Sequence, residues 1–578
     1  MYPADFYGRP QGLPESERHA LTYERLRRLS AAVHDDVPLL QRRETLFPLL
    51  EWAAIADPSL FYAFFLHHCT TVGAILEFGA GRDDLTPLLG ELNSLTVTGA
   101  LLMTELGHGN SNAAVRTRAV YDRETEEFVL HTPGADAVKY PPSVACAGIA
   151  RVGIVTAALH VDGRECGNFC FVVPLRDADG PLPGVRVEPV PSPPALPLDW
   201  AAVSFDQVRV PYRNWLRDQA SIGEDGTFTD VLPDPTMRSR QASRLIRYVW
   251  EGAAAGLSAV TRAAASTALR FAHIRQTNGT YAGAFAPLQP VIAYRNQQRA
   301  LFGALASAYV STLAVRTITT PEPPGRDAGA IRTIMTLKAA IDQIAERVTA
   351  TTRGATGVLG FSPQNRFLDY EALAQSFNAA GLSTQVLYLN IAWTLALGLG
   401  YQAPEASGRL DDESGLLDPA AWATLAAARE SRLHQQLTTE LDKARAEGLS
   451  EFEVWNDRFG LAERTAEAHG FRLLAEIVRD VVAATPDPET RHVLSRLVAL
   501  HFLAAVEERG GWFVAEGLVT PAVLRRIPAL LDELCAELAP HAAALAEALD
   551  VPADLVGAPI TEPGYVSAFT AVPAAGTH

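Results

Sequence analysis

Cysteine, basic charge and long apolar runs are all scarce in this sequence. Only 5 of the 578 residues are cysteine, a sparse and odd number typical of a protein kept reduced. The chain has 49 Lys and Arg residues and 66 Asp and Glu residues, which gives a net charge of −17. This acidic balance argues against general nucleic-acid binding, which needs a basic surface. We find no signal peptide and no apolar run long enough to cross a membrane, so we expect no membrane partner. The amino-acid composition, which is poor in Lys and rich in Ala, Arg and Pro, indicates a cytoplasmic protein of bacterial type.

Clusters of metal-ligating residues are also missing. Cys166 and Cys170 have no further ligand pair beside them, so their spacing favours two core positions of a strand over a zinc site. His67 and His68 are adjacent, but no second group of ligands accompanies them. We therefore expect no metal.

The hydrophobic pattern changes along the chain and divides it into regions. The length suggests about three or four domains, and 48% hydrophobic with 20% charged residues is typical of a globular protein. Apolar residues at three- and four-residue spacing predict helices, whereas short alternating segments predict strands. The predicted class is α+β but mostly α. Its regions are a helical domain at 1–95, an antiparallel β-barrel at 96–215, a four-helix bundle at 237–400 and an extra helical domain at 419–578.

The segment 101–143 is the most informative stretch. An apolar run enters the turn Thr104-Glu105-Leu106-Gly107-His108-Gly109-Asn110, and two alternating segments follow it. This pattern predicts a strand, a glycine-bearing loop and a hairpin. Glycines beside Thr and Asn let the backbone approach a flat polar ligand and offer N–H and hydroxyl donors to it.

This stretch resembles the flavin-binding loop of the acyl-CoA oxidase and acyl-CoA dehydrogenase superfamily, and the oxidases are the more similar group. The match includes Lys139-Tyr140-Pro141-Pro142, after which Ser143 stands where the family usually has Gly. The resemblance implies FAD as cofactor, with Thr104 bonding the isoalloxazine edge. The cofactor-binding residues that it implies in this stretch are Thr104, Gly107, Gly109 and Ser143.

Two later segments also resemble this family. The segment Arg270–Gly279 resembles the motif whose Arg, here Arg275, bonds the FAD pyrophosphate of a neighbouring subunit, and Thr277 matches a second FAD contact. A guanidinium suits a diphosphate because it is always charged and bidentate. The turn that begins Thr356-Gly357 resembles one that packs on the partner's FAD. The resemblance therefore implies a homodimer or a higher oligomer.

The catalytic base of the family is missing from its usual position. In relatives a Glu removes the α proton while the β hydrogen leaves as hydride, so that base must face the flavin across the substrate. Here Ser383 and Gln385 keep the register of that motif and are further cofactor-binding residues that the resemblance implies. The base position is Gly381, which still supplies its backbone N–H. An enolate can therefore still be stabilised there.

Three explanations for Gly381 remain open. The base could have moved to the first helix of the bundle, as in some relatives, where Glu251 is the only carboxylate near the projected position. Glu251 is two residues away from the projected position. On a helix, a shift of two residues turns the side chain by about 200° around the axis. Alternatively, a β-keto acid could lose CO₂ and need no base, or the chain could be a non-catalytic FAD-binding subunit.

Four arginines at the head of the predicted bundle form a further candidate site. They could contact CoA phosphates or a carrier protein with its phosphopantetheine arm, or they could simply be a solvated helix start. The residues are Arg238, Arg240, Arg244 and Arg247.

We expect an FAD-dependent oxidoreductase that oxidises the α and β carbons of an acyl thioester carried by CoA or by an acyl or peptidyl carrier protein. One alternative is a decarboxylating dehydrogenase or monooxygenase of bacterial secondary metabolism, acting on a β-keto acid. The other is the non-catalytic subunit. The final residues Ala575-Gly576-Thr577-His578 differ from the peroxisomal address that many eukaryotic acyl-CoA oxidases carry, which agrees with the expected cytoplasmic location.

Overall fold

The structure is a computed structural model in which the chain divides into two compact units. One unit is 10–253, and the other is 1–9 with 254–578. Each unit is described by itself. Gly279, at the end of the predicted pyrophosphate motif, and the residues from Ala575 to His578 lie outside the described residues. The structure describes residues 7–8, 10, 12–111, 113–232, 234–278, 288–322, 325–405 and 408–570.

The unit 10–253 begins with helices, as the apolar spacing predicted. Asp57 caps α3 by accepting a hydrogen bond from the Ser59 amide, and Pro58 occupies the first position of that helix, where its missing N–H costs nothing. A π-helical stretch, Leu66–Val72, joins α3 to α4. The helices are α1 (Glu15–Ala32), α2 (Arg43–Ala56), α3 (Pro58–Phe65), α4 (Gly73–Phe78), α5 (Thr86–Asn93), α6 (Pro235–Gln241) and the first part of α7 (Ile246–Ile274).

Short strands follow α5 and form a half-barrel. The main sheet has the order β8-β3-β2-β4-β5-β9, and β1 also pairs with β4. Most pairs are antiparallel, but β1 and β2 both run parallel to β4, which the sequence did not indicate. The strands are β1 (Thr98–Leu102), β2 (Arg118–Asp122), β3 (Glu127–His131), β4 (Arg151–Val161), β5 (Arg164–Arg176), β6 (Val185–Pro189), β7 (Ala201–Phe205), β8 (Val208–Pro211), β9 (Trp215–Leu216), β10 (Ser221–Ile222) and β11 (Phe228–Thr229).

The core of the half-barrel is aromatic and aliphatic. Phe128, Phe171 and Trp215 are all fully buried, and the rings of Phe128 and Phe171 meet edge to face at 5.1 Å. Cys166 and Cys170 are both buried on β5, which confirms their predicted place in a strand, and Cys166 belongs to this core.

A buried ionic group anchors α1 to the sheet. Asp199 accepts hydrogen bonds from the Arg151 guanidinium (2.8 Å) and from the Tyr23 hydroxyl (2.7 Å). The guanidinium also lies 3.8 Å above the Tyr23 ring. Since both charges are almost fully buried, each depends on the other for its stability.

The second unit is almost entirely helical. The sequence analysis predicted four helices in the bundle at 237–400, whereas the described residues of 246–400 form the five helices α7 to α11. The additional helix is the short α10, Phe367–Ala379. The elements are the rest of α7, β12 (Gln276–Thr277), β13 (Gln289–Pro290), α8 (Arg295–Ile318), α9 (Ala328–Ala355), α10 (Phe367–Ala379), α11 (Thr384–Ala396), α12 (Pro419–Ala446), α13 (Glu451–Asn456), α14 (Phe459–Ala484), α15 (Pro488–Glu508), α16 (Gly510–Ala515), α17 (Pro521–Leu538), α18 (Ala542–Glu547) and α19 (Ala553–Val556).

Two helical stretches are long and apolar enough to span a membrane by length and composition. They are Pro58–Phe78, 89% buried within the protein, and Arg295–Ile318, 61% buried. The sequence analysis found no apolar run of this length, and that statement is wrong for these two stretches. Burial of this extent is typical of core helices, so they are weak evidence for a membrane segment.

We predict that Asp199→Ala destabilises the unit 10–253 by about 3–5 kcal/mol, because it leaves the Arg151 charge buried without its partner. Thermal unfolding should show an earlier transition. The matched control is Glu24→Ala, which removes an exposed carboxylate paired with Arg27 and Arg28 and should cost under about 1 kcal/mol. Equal effects of the two substitutions would contradict the role of the buried pair.

Candidate functional site

The residues predicted to bind FAD lie in both units. In the unit 10–253, the turn that follows β1 presents Thr104 to solvent. The Thr104 carbonyl accepts a hydrogen bond from the Tyr140 amide at 3.0 Å. Within the described part of the chain, the Thr104 hydroxyl makes no hydrogen bond. The backbone of this turn is therefore fixed while the hydroxyl remains free to bond a ligand.

The two glycines of this turn, Gly107 and Gly109, differ in the space around them. The Gly107 amide donates to the Asp136 carbonyl at 2.9 Å. A Cβ at Gly107 would lie 2.6 Å from the Asp136 Cβ, so only glycine allows this close approach. A Cβ at Gly109 would meet nothing within 4 Å. Ser143, the fourth residue predicted here, is 6% exposed and forms a β-bridge with Trp200.

A buried lysine lies behind the turn. The Lys139 ammonium donates to the Glu105 carboxylate (2.9 Å) and to the carbonyls of Met103 (3.3 Å) and Thr156 (2.7 Å). Burial lowers the pKa of Lys139 to about 8, against the attraction of Glu105. Burial also raises the pKa of Glu105, but Lys139 and then Thr117 reverse this and lower it below its ordinary value. The pair therefore fixes the residues on both sides of Thr104.

In the second unit, Arg275 follows the end of α7 and is exposed. Its guanidinium donates to the Tyr565 hydroxyl at 2.9 Å, and the Tyr565 ring meets the Phe271 ring edge to face at 5.5 Å. Thr277 lies on β12, and its carbonyl accepts from the Tyr294 hydroxyl at 3.2 Å. Arg275 is thus oriented by a hydroxyl and keeps its remaining N–H groups for an anionic ligand.

The turn at Gly357 follows α9 directly. Gly357 has a left-handed backbone (φ 64°), and Val358 beside it is 83% exposed. At Gly360 a Cβ would lie 2.3 Å from the Arg353 carbonyl oxygen, so this glycine is sterically required. An apolar side chain this exposed suits a surface that another group covers.

Gly381, the position of the missing base, lies in the turn between α10 and α11. Gly381 (φ 70°) and Leu382 (φ 73°) are both left-handed. Since L-residues rarely adopt this conformation, the position favours glycine and a Glu there would be strained. Ser383 caps α11 by accepting from the Val386 amide at 3.5 Å, and Gln385 is exposed.

A second buried lysine supports this turn. Lys338, on α9, donates to the Phe377 carbonyl (2.7 Å), to the Ala380 carbonyl (3.4 Å) and to the Asp342 carboxylate (2.5 Å). The Thr384 hydroxyl donates to the same carboxylate at 3.2 Å. Burial raises the pKa of Asp342 to about 6. The Lys338–Asp342 pair therefore joins the end of α10 to the start of α11 around Gly381.

Glu251, the proposed alternative base, is 1% exposed. The Arg43 guanidinium donates to its Oε2 at 2.7 Å, whereas its Oε1 has no hydrogen-bond partner among the described residues. Burial raises the pKa of Glu251 above its ordinary value, and Arg43 opposes this shift. A carboxylate with one free oxygen and a raised pKa can accept a proton, so Glu251 stays a predicted base.

The four arginines do not form the predicted basic patch. Arg238 is 2% exposed and is held by Asp218 at 3.1 Å and by Asp230, which removes it from contact with a substrate phosphate. Arg247 is 5% exposed and donates to the Tyr248 hydroxyl. Arg244 pairs with Glu77 at 2.7 Å, and Arg240 is exposed. The prediction is wrong for Arg238, because its acidic partners, 8 and 20 residues earlier, lie in a linker that has no periodic signal.

Three residues near these positions were missed by the sequence analysis. They are Lys338, Asp342 and Tyr565. The first two had a detectable signal, because Lys and Asp four residues apart lie on one helix face and the chain has few lysines. Tyr565 had none, since its partner Arg275 is 290 residues away.

Comparisons with known proteins show that this chain is similar to acyl-CoA oxidases. A family model described as acyl-CoA oxidase matches residues 418–562. Acyl-coenzyme A oxidase 2, peroxisomal, of Arabidopsis thaliana is 25% identical over 563 residues, covering 89% of this chain and 80% of the relative. Peroxisomal acyl-coenzyme A oxidase 1 of Rattus norvegicus is 25% identical over 501 residues, covering 79% and 73%.

Solved structures share the fold. Acyl-CoA oxidase 3 from Yarrowia lipolytica superposes with a TM-score of 0.84 at 22% identity, covering 98% of this chain and 85% of that chain. Acyl-CoA oxidase-2 of Caenorhabditis elegans, solved bound with FAD, ascaroside-CoA and ATP, gives a TM-score of 0.76 at 19% identity, covering 96% and 91%. These likenesses confirm the predicted fold class, mostly α with a β region, although that region is a half-barrel and not the antiparallel barrel that we expected.

We predict that Gly107→Ala destabilises the turn at Thr104 by about 1–3 kcal/mol, because the new methyl group overlaps the Asp136 backbone. Gly109→Ala is the matched control, two residues away with open space around it. Thermal unfolding of both variants checks this. A Gly109→Ala variant as unstable as Gly107→Ala would show that the Asp136 contact is irrelevant.

Proposed function

We propose that the chain is a member of the acyl-CoA oxidase and acyl-CoA dehydrogenase superfamily, and that it is an FAD-dependent enzyme that oxidises the α and β carbons of an acyl thioester. The observation that carries this proposal is the similarity to acyl-CoA oxidases across 89% of the chain. Two supports come from the structure: the free hydroxyl at Thr104 and the exposed guanidinium at Arg275.

The residues present fit FAD. In the turn at Thr104, glycine is required at Gly107 by the backbone of Asp136, and the turn offers a hydroxyl without a partner. Arg275 offers a charged fork, oriented by Tyr565, of the kind that binds diphosphates. Thr104, Arg275 and Thr277 are therefore the residues that would hold the cofactor. When bound, FAD supplies a hydride acceptor.

The reaction also needs a group that takes the α proton. Glu251 is the carboxylate we assign to this step, because it is buried, has one oxygen without a partner and has a raised pKa. Arg43, at 2.7 Å, holds it in place and stabilises its charged form. The Gly381 amide is the group we assign to the thioester oxygen, and the Lys338–Asp342 pair keeps that amide in position.

A second candidate function rests on the backbone at Gly381. The backbone at Gly381 is left-handed, a conformation that favours glycine. The missing glutamate therefore goes with the conformation of the turn itself, and restoring a Glu at this position would strain the backbone. A substrate that loses CO₂ generates its enolate without a base, so a β-keto acid fits this turn. The carrier of the acyl group, CoA or a carrier protein, is part of either proposal.

The assembly we propose is a homodimer, supported by the exposed Val358 and by the resemblance of the Arg275 segment to a motif that contacts a neighbouring subunit. The location we propose is the cytoplasm, supported by sparse cysteines that are all free thiols in the structure.

We predict that the purified protein contains FAD and that anaerobic addition of an acyl-CoA bleaches the flavin. Glu251→Gln should slow this bleaching by about 10²–10⁴-fold, because a general base typically contributes that much. The matched control is Glu77→Gln, which changes another buried acid that pairs with an arginine of the same unit. It should slow bleaching far less.

Other outcomes of this experiment separate the alternatives. Unchanged bleaching in Glu251→Gln would remove Glu251 from the mechanism. Bleaching only by a β-keto or carrier-bound acid, with release of CO₂, would favour the decarboxylating enzyme. A protein that binds flavin and never bleaches would favour the non-catalytic subunit.

We predict that Arg275→Gln lowers FAD retention by at least about tenfold, since a hydrogen bond to a charged group contributes about 1.5–3 kcal/mol. The flavin-to-protein absorbance ratio after gel filtration measures this. The control is Arg270→Gln, five residues earlier and on α7, where the guanidinium donates to the Val551 carbonyl at 3.3 Å. Equal flavin loss in both variants would contradict the assignment of Arg275.

A further inference from the structure

The second unit contains a cavity that the proposed reaction does not use. It has a volume of about 280 Å³ and is lined by residues of α8, α9, α11, α14 and α15. This equals about nine liquid water volumes and lies near the small end of ligand pockets, about 300–1,000 Å³. Along α9 it is lined from Thr336 to Thr351, about 22 Å at the rise of a helix. The cavity is therefore long and narrow.

Small residues create this space. Gly303 and Ala304 on α8, Ala340 on α9 and Gly470 on α14 all line the cavity. A Cβ built at Gly303 would meet nothing within 4 Å. Larger apolar side chains, Phe471 among them, complete the wall. An extended alkyl chain fits this shape and this lining.

One buried hydroxyl group in the wall has no partner. Thr336 is 1% exposed, and its Oγ1 makes no hydrogen bond within the described residues. Buried hydroxyl groups normally find a partner, so a bound water inside the cavity would satisfy Thr336. The Tyr388 side chain, which is 4% exposed, also lines the cavity.

Positive charge lies at the open side. Arg347 lines the cavity and pairs at 3.3 Å with Glu508, and their side chains are 60% and 53% exposed. Such a surface pair is weak and exchanges readily for another anion. Arg509 also lines the cavity but is held by Glu467. His501 adds no charge at neutral pH, because burial lowers its pKa to about 4.

We propose that this cavity is a second binding site, for a small amphipathic carboxylate. The alkyl chain would lie along α9 among the small residues, and the carboxylate would reach Arg347 at the mouth. This inference does not depend on the oxidation of thioesters or on FAD. The ligand of this cavity is a free acid that is not attached to CoA. Through this cavity the protein would bind free acids separately from the proposed thioester substrate.

The test is isothermal titration calorimetry of the full-length protein with sodium octanoate. Octan-1-ol and octylammonium chloride serve as neutral and cationic probes of the same chain length. We expect saturable binding of octanoate, at least tenfold tighter than that of octan-1-ol. Gly303→Leu should abolish this binding without lowering the melting temperature, because the new side chain enters empty space and favours the helix.

A second variant tests the role of charge. Arg347→Gln should reduce octanoate affinity to that of octan-1-ol and leave octan-1-ol binding unchanged. Its control is Arg316→Gln, an exposed arginine on α8 that does not line the cavity. Octanoate binding that is absent, that persists in Gly303→Leu or that is weaker than octylammonium binding would overturn the proposal.

Discussion

A buried ammonium group must be surrounded by oxygen atoms, and this requirement shapes both units. The chain has only three lysines, and two of them, Lys139 and Lys338, are fully buried. Each donates to one carboxylate and two backbone carbonyls, Lys139 to Glu105 and Lys338 to Asp342 among them. Removing one member of such a group strands a charge and costs about 3–5 kcal/mol. Each lysine therefore fixes the backbone that it bonds.

The two lysines lie behind the two turns on which the proposed function depends. Lys139 bonds the Met103 carbonyl, next to Thr104, and Lys338 bonds the Ala380 carbonyl, next to Gly381. In both turns the backbone groups are fixed from within, so they keep their direction without a ligand. Preorganised donors of this kind stabilise a developing charge because they do not have to reorient. The proposed role of Gly381 agrees with this principle. A rigidly held amide can donate a hydrogen bond to a thioester oxygen even though position 381 carries no carboxylate.

The sequence predicted what depends on local pattern and missed what depends on distant partners. Periodicity located most helices and the hairpin, and adjacent residues alone led to the prediction of a flavin site at Thr104. The arginine prediction was wrong because the partners that bury Arg238 lie in a linker with no periodic signal. The pairing of Glu251 with Arg43 joins residues 208 apart and has no local signature. Tyr565 was missed for the same reason. Helix boundaries, and α10 itself, were missed because capping and packing define them.

Hydrogen–deuterium exchange in paired lysine variants tests the central claim most directly. Lys338→Met should speed exchange in a peptide covering 376–386 and leave the peptide covering 101–110 at its wild-type rate. Lys139→Met should speed exchange in the peptide covering 101–110 and leave the peptide covering 376–386 at its wild-type rate. This is the expected result if each buried ammonium holds its own turn, because local exchange reports the stability of the bonds nearby. Wild-type protection of both turns in both variants would contradict the account, since the turns would then be held by other contacts.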